Sequence, residues 1–209
     1  MKKDLTPRER RHQRTRDLIL DAARQILREE GIAALSMREI AKRIEYSPAG
    51  LYDYFGSKEE IIGEVCEEGF RRLTMTLRST PTDVTGADLI VLNGVAYVEF
   101  ALRNPDFYLL MFTNAPLAGV ERHPPGLTLQ QVLTQSPAFM ELHQRVQQSV
   151  DTGYLRQRAD RTVFDMSMML WQTVHGIAML GITMGRDFEE YRMHISATLR
   201  TLFTGLTLE

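Results

Sequence analysis

Residues 36–55 read SMREIAKRIEYSPAGLYDYF, and this stretch decides the fold. Ser36, with Glu39 three residues on, is a capping box that opens a helix through Ile40, Ala41 and Ile44. Ser47-Pro48 opens a second helix, serine as cap and proline at the first helical position, where its missing N–H does no harm. Two helices joined by so short a turn pack crosswise. Ala41 sits where they approach most closely, and Ile40, Ile44 and Leu51 supply the small core beneath. The anatomy is that of a helix-turn-helix, whose second helix enters a major groove. By itself the pattern also fits an ordinary helical hairpin.

Working outward, almost every segment reads as helix. One helix is expected from about Thr15 to Glu30, with Ile19, Ala22, Ala23, Ile26 and Leu27 at helical spacing and Gly31 as a left-handed C-terminal cap. Ser57 and Glu60 form another capping box, opening a helix to about Arg78. The run Ser79-Thr80-Pro81-Thr82-Asp83 breaks the pattern. Further helices are expected over about Gly86–Arg103, Asp106–Thr113, Ser136–Thr152, Ala159–Met184 and Asp187–Phe203. A loop rich in helix breakers lies between, from Asn114-Ala115-Pro116 through Gly119 to Pro124-Pro125-Gly126. The expected fold is all-α: a basic arm over 1–15, a three-helix helix-turn-helix domain over 16–62, and a larger helical domain over 63–209.

Composition narrows the class. With 44% apolar and 25% charged residues, the chain can bury a core without disulfides or metals. The single cysteine, Cys66, leaves no intrachain disulfide and fits a reducing cytosol. The first residues are charged rather than apolar, and Arg103, Gln172 and His175 interrupt the longest apolar stretches. Neither a signal peptide nor a membrane span is expected, so the protein is placed in the cytoplasm. His12, His123, His143, His175 and His194 are scattered, and no glycine-rich phosphate loop or nucleophile motif occurs. No catalytic residue, metal or cofactor is expected. Residues 1–16 carry Lys2, Lys3, Arg8, Arg10, Arg11, Arg14 and Arg16 against Asp4 and Glu9. Such an arm suits DNA phosphates, though it also fits a solvated tail.

The run Leu51-Tyr52-Asp53-Tyr54-Phe55, followed by Ser57-Lys58-Glu59-Glu60, resembles the tetracycline-repressor (TetR) family. The likeness covers roughly Arg16–Val65 and includes Ile19-Leu20-Asp21-Ala22-Ala23, Gly31 and Arg38-Glu39-Ile40-Ala41. It implies a homodimeric regulator, a repressor in the family's usual mode, on a palindromic double-stranded DNA operator. Tyr52 and Lys58 stand at the family's phosphate-contacting tyrosine and lysine; the Tyr52 ring is also suited to packing on the domain's own core. Ser36 is a cap that also reaches the backbone, and Arg38 either reaches a phosphate or faces solvent. Base reading falls to Ser47, Pro48, Ala49, Gly50 and Asp53, with Arg43, Tyr46 and Tyr54 as larger neighbours. These small side chains suit thymine methyls and close approach better than bidentate bonding. Two positions depart from the family. Glu45 stands where its turn often has glycine, so a left-handed backbone there costs about 1–2 kcal/mol. Gly50 stands where threonine is frequent. A module of the same fold that has lost DNA binding is the alternative, and the intact Tyr52, Lys58 and basic arm argue against it.

In the C-terminal half, Trp171-Gln172-Thr173-Val174-His175-Gly176 resembles the tryptophan–histidine–glycine signature of one class in this family. Trp171 and His175 share a helix face. They fit plain packing, or a pocket for a small, largely hydrophobic effector with Phe100, Phe107, Tyr108, Met111 and Met168 as further walls. Dimerisation is expected because helix-turn-helix proteins bind half-sites about 34–36 Å apart. The resemblance places that interface on the last two helices, through Ile177, Leu180, Ile195, Leu199 and Leu202.

Overall fold

The computed structural model describes residues 6–114, 126–158 and 160–207, the side chains of 113 and 114 excepted. Lys2, Lys3 and Asp4 of the basic arm, His123, Ala159 and the expected loop residues 115–125 lie outside the described residues. Among those described the fold is helical throughout, with one isolated bridge, Arg158 to Arg161. The chain divides into two compact units.

The first unit comprises Met1–Gly69 and Asp106–Gly119. Helix α1 (Pro7–Glu30) starts eight residues earlier than the apolar spacing predicts, because Thr6 and Glu9 form a complete capping box and Pro7 takes the first helical position. The basic segment is therefore helical from Pro7 onward. Ile19, Ala22, Ala23, Ile26 and Leu27 are buried. Gly31 closes α1 at φ 77°, and a 3₁₀ turn (Ile32–Ala34) leads to α2 (Met37–Arg43). Ser36 caps α2 by accepting the Glu39 N–H at 3.1 Å. Helix α3 (Pro48–Leu51) is capped by Ser47, which accepts the Gly50 N–H at 3.0 Å. Helix α4 (Lys58–Arg78) begins where Ser57 accepts the Glu60 N–H and Glu60 reaches back to the Gly56 N–H. Ile40, Ala41, Leu51, Phe55 and Ile61 are buried in one cluster with the α1 face.

A sequence-remote segment completes that core. Helix α6 (Pro105–Leu109) runs into a π-helical turn (Leu110–Asn114). Leu110 joins the cluster, and the Cys66 thiol donates to its carbonyl at 3.8 Å. Burial, with Glu67 nearby, pushes that thiol up to about 12, which keeps it an inert packing group. Gly69 of α4 admits Met111 so closely that a Cβ there would lie 2.5 Å from its sulfur.

The second unit comprises Phe70–Pro105 and Val120–Glu209. The division thus falls inside α4, one uninterrupted helix, where the sequence suggests 62/63. Helix α5 (Ala87–Arg103) is apolar nearly all round and packs against α8 (Pro137–Asp151), α9 (Val163–Thr183) and α10 (Phe188–Thr207). Gly94 lets Leu199 lie directly on the α5 backbone, where a Cβ would approach it to 2.6 Å. A short helix, α7 (Leu129–Leu133), sits between, opened by a Thr128–Gln131 capping box that sequence reading passed over.

The turn between α2 and α3 has the backbone that its family-atypical residue makes costly. Glu45 is at φ 56° and exposed. Its N–H donates to the Lys42 carbonyl at 3.4 Å and the Tyr46 N–H to the Ala41 carbonyl at 2.9 Å, a Schellman closure of α2. Glu45→Gly relieves about 1–2 kcal/mol of left-handed strain against about 0.5–1 of added chain entropy. We expect a net gain of about 0.5–1 kcal/mol, read as a higher urea midpoint at unchanged slope. Glu45→Ala, which keeps the strain, should give no such gain.

Candidate nucleic-acid interface and interior cavity

Helix α3 is anchored at one end and open at the other. Leu51 is fully buried, whereas Ser47, Pro48 and Ala49 are exposed and Gly50 is half-buried. The exposed tip carries no long side chain, so another molecule can approach its backbone closely. A Cβ at Gly50 would come 3.1 Å from the Ser47 hydroxyl, so the glycine keeps that cap unobstructed. Around the tip stand Tyr52, 57% exposed, and the exposed Asp53 and Tyr46. Tyr54 is half-buried, its ring 4.8 Å from His12 and 6.3 Å, edge-on, from Tyr46. A hydrogen bond with Tyr54 holds the Tyr46 phenol above the ordinary tyrosine range.

The cations divide into two sets. Arg38 and Lys42 are exposed, as are Arg8, Arg11 and Arg14 along the first turns of α1. Lys58 begins α4, where its charge and the first amides of a long helix favour an anion together. Arg43, expected near the bases, instead bonds Glu29 at 2.7 Å and also Glu30, tying α2 to the end of α1. Its hydrogen bond to the Glu29 carboxylate leads the causes that raise its guanidinium above its ordinary range. Arg16, read as part of a basic arm, is likewise committed to the protein. It donates to the Tyr54 carbonyl, pairs with Glu64 of α4, and lies 4.0 Å from the Phe55 ring centroid. His12 and Arg16 share a helix face with Ile19 and Ala23, and that spacing was the available signal.

In the second unit a small, largely apolar cleft opens between α4, α5, α8, α9 and α10, with enclosed room for about one water molecule. Leu77, Ile90, Asn93, Gly94, Tyr97, Ala138, Leu142, Leu170, Trp171, Val174 and Leu199 line it. Of the expected pocket residues, Trp171 is on this wall. His175 stands one step behind, its Nδ1 3.4 Å from the hydroxyl of Tyr97, with burial pushing its imidazole below the usual range. Phe100 is buried and Met168 half-buried elsewhere in this unit. Phe107, Tyr108 and Met111 group with the first unit, because the α6 segment packs on its core. The polar wall residues Asn93 and Tyr97 went unread in the sequence. Their signal is two polar groups at i, i+4 in an otherwise apolar helix.

The residues expected at a subunit interface separate. Ile195 and Leu199 are fully buried within the protomer, Ile177 nearly so, and Leu202 is half-buried. Leu180 is 58% exposed, and Met169, Met184 and Met193 are exposed beside it in the sequence of the same two helices. Among the described residues no helix is long and apolar enough to cross a membrane.

A short helix presented by a capped, crossed partner, ahead of a larger helical unit, defines a helix-turn-helix transcription regulator. The family model "Bacterial regulatory proteins, tetR family" matches residues 19–65, and the model "Tetracyclin repressor-like, C-terminal domain" matches 92–190. The HTH-type transcriptional regulator YobS of Bacillus subtilis is 23% identical over 195 residues, 93% of each chain. Among solved structures, a Rhodococcus protein described as of unknown function is similar at TM-score 0.71, with 24% identity over 92% of this chain and 95% of that one. The TetR family regulator PfmR of Thermus thermophilus is similar at TM-score 0.60, with 21% identity over 87% and 97%. The chain belongs to the TetR family of DNA-binding transcriptional regulators.

Arg16 joins three elements beneath the exposed tip, and its removal strands Glu64 and the Tyr54 carbonyl. Arg16→Met should lower stability by about 1–2 kcal/mol, the value of charge-assisted bonds discounted for partial exposure. Hydrogen exchange should quicken selectively at Tyr52–Phe55. Unchanged exchange there would remove Arg16 from the support of α3.

Proposed function

We propose that the protein acts as a homodimer on a palindromic operator in the bacterial cytoplasm, repressing transcription until a small, largely hydrophobic ligand enters the second unit. The observation that carries this reading is the open tip of α3, Ser47–Gly50, set between an exposed Tyr52 and Lys58 at the head of α4. In this reading Tyr52 and Lys58 hold phosphates, with Ser36 and Arg38 beside them. Ser47, Pro48, Ala49, Gly50 and Asp53 face base edges, flanked by Tyr46 and Tyr54. Arg43 would reach DNA only by leaving Glu29 and Glu30. Arg8, Arg11 and Arg14 extend the positive surface along α1.

Two-fold assembly is supported by the exposed apolar side chains of α9 and α10, among them Leu180 and Met193, 58% and 84% exposed. Ligand control is supported by the cleft and by chain continuity. Helix α5 supplies Asn93, Gly94 and Tyr97 to the cleft wall and continues into the segment that completes the core under α3. A ligand changes DNA binding only by as much as it prefers one conformation over the other.

Fluorescence anisotropy with selected genomic fragments tests the reading; retention of none of them at low salt would overturn it. Tyr52→Ala and Lys58→Ala should each weaken binding to all operator variants alike, about tenfold, with a shallower salt dependence for the lysine change. An altered base preference at unchanged affinity would contradict the phosphate roles. Leu180→Glu should yield folded monomers in sedimentation velocity and reduce operator affinity at least about tenfold, since a charge buried without a partner disfavours the interface. A variant that stays dimeric places the interface elsewhere.

A further inference from the structure

The first turns of α1 sort their charges by face. Residues three and four apart share one side of a helix. The His12 ring lies 4.8 Å from that of Tyr54, the Thr15 side chain meets the Tyr46 phenol, and Ile19 is buried in the core. That stripe faces the turn before α3 and the end of α3. The two flanks are marked by ion pairs. Arg16 and Arg24 bond Glu64 and Glu68 on the α4 side, and Glu29 bonds Arg43 on the α2 side.

Arg8 lies on the stripe itself, one turn before His12. Arg11 lies on the α2 flank, in register with Glu29 about five turns later. Arg10 and Arg14 fall on the reverse of the helix. The acids keep clear of the first pair. Glu9, on the α4 flank, accepts the Thr6 N–H at 2.7 Å, and Asp17, on the reverse, accepts from Gln13 at 2.9 Å. Arg8 and Arg11 are exposed, and among the described residues neither has an ion-pair partner.

This arrangement does nothing for the helix. Arg8 and Arg10 stand in the first turn, where the dipole favours acids, and Arg8 and Arg11 repel each other across one turn. The helix nonetheless starts at Pro7, because Thr6 and Glu9 form a complete capping box. Two cations that oppose their own helix, on the side that meets α3, are satisfied by an anion from outside.

We propose that the start of α1 is a second, preformed contact with the DNA backbone, in which Arg8 and Arg11 hold phosphates beside the site of α3. The packing of His12 on Tyr54 fixes their position, and Arg10 and Arg14 turn away from the duplex. This rests on the DNA-binding reading above and extends it to the helix in front of the helix-turn-helix. A flexible basic arm cannot tell the two pairs of arginines apart, whereas a helix must.

The test uses two full-length variants of equal charge, Arg8→Gln/Arg11→Gln and Arg10→Gln/Arg14→Gln, and the genomic duplex that the unaltered protein holds most tightly. By fluorescence anisotropy the first should bind about tenfold or more weakly at about 0.1 M salt, its log–log salt slope shallower by about two per bound protomer. The second should lose less than about threefold, the residue of long-range attraction. Neither should melt at a lower temperature, since each removes a like-charge pair. A lower melting temperature for the first variant would assign Arg8 and Arg11 to the fold and overturn the proposal. Equal losses in the two variants would overturn the helical facing in favour of an unselective arm. No loss in either takes the start of α1 off the duplex while the reading of α3 stands. Retention of no duplex by the unaltered protein overturns both.

Discussion

The burial of Leu51 is the constraint on which the reading surface depends. A four-residue helix has no stability of its own, because forming the first turn fixes more backbone than its hydrogen bonds return. Helix α3 persists because Leu51 and Phe55 are sunk into the cluster built by α1, α2 and α4. Ser47 and Pro48 supply the missing half, one satisfying an orphan amide and the other having none to satisfy. With its inner face so anchored, the outer face needs no side chain for stability. That permits a tip made of serine, proline, alanine and glycine, and a groove can approach such a tip closely.

Polar contacts then fix what packing leaves loose. Arg16 pins the Tyr54 carbonyl and Glu64, and Arg43 ties α2 to Glu29 and Glu30. Both arginines look like DNA ligands in a charge count, and both are engaged within the protein. The cations left exposed lie along α1 and α2, with Lys58 half-buried at the start of α4. The head thus separates the charges that hold its shape from those that face outward. Strain at Glu45 serves the same end, since the Schellman closure it allows sets the angle at which α3 leaves α2.

How far the sequence discloses this varies with the kind of signal. Capping chemistry is local, so Ser36, Ser47 and Ser57 are legible, and the left-handed turn at Glu45 follows from the family's glycine there. The early start of α1 at Pro7 was legible too, from Thr6 and Glu9, but the exposed arginines behind that cap show no apolar period. Faces of a two-sided helix are harder. On α10, Ile195 and Leu199 pack inward while Met193 faces out, and all three are apolar residues at spacings that cannot distinguish a protomer core from a subunit contact. Phe107, Tyr108 and Met111 were equally ambiguous. Which unit they serve depends on a π-helical turn and on the room left by Gly69, and neither has a residue pattern to announce it.

Helix α4 carries this asymmetry between local and remote signals into function. Its first turn holds Lys58, and its last turn ends in the Leu77 carbonyl, for which Asn93 and Arg145 both act as donors. The helix is continuous between them. A group that draws Asn93 or Arg145 away from Leu77 alters the closure of α4. The polar atoms Asn93 Nδ2 and Arg145 Nη2 thus serve the closure of α4. Because they already serve as the cap of α4, any acceptor that binds them must compete with, or add to, the contact that ends it.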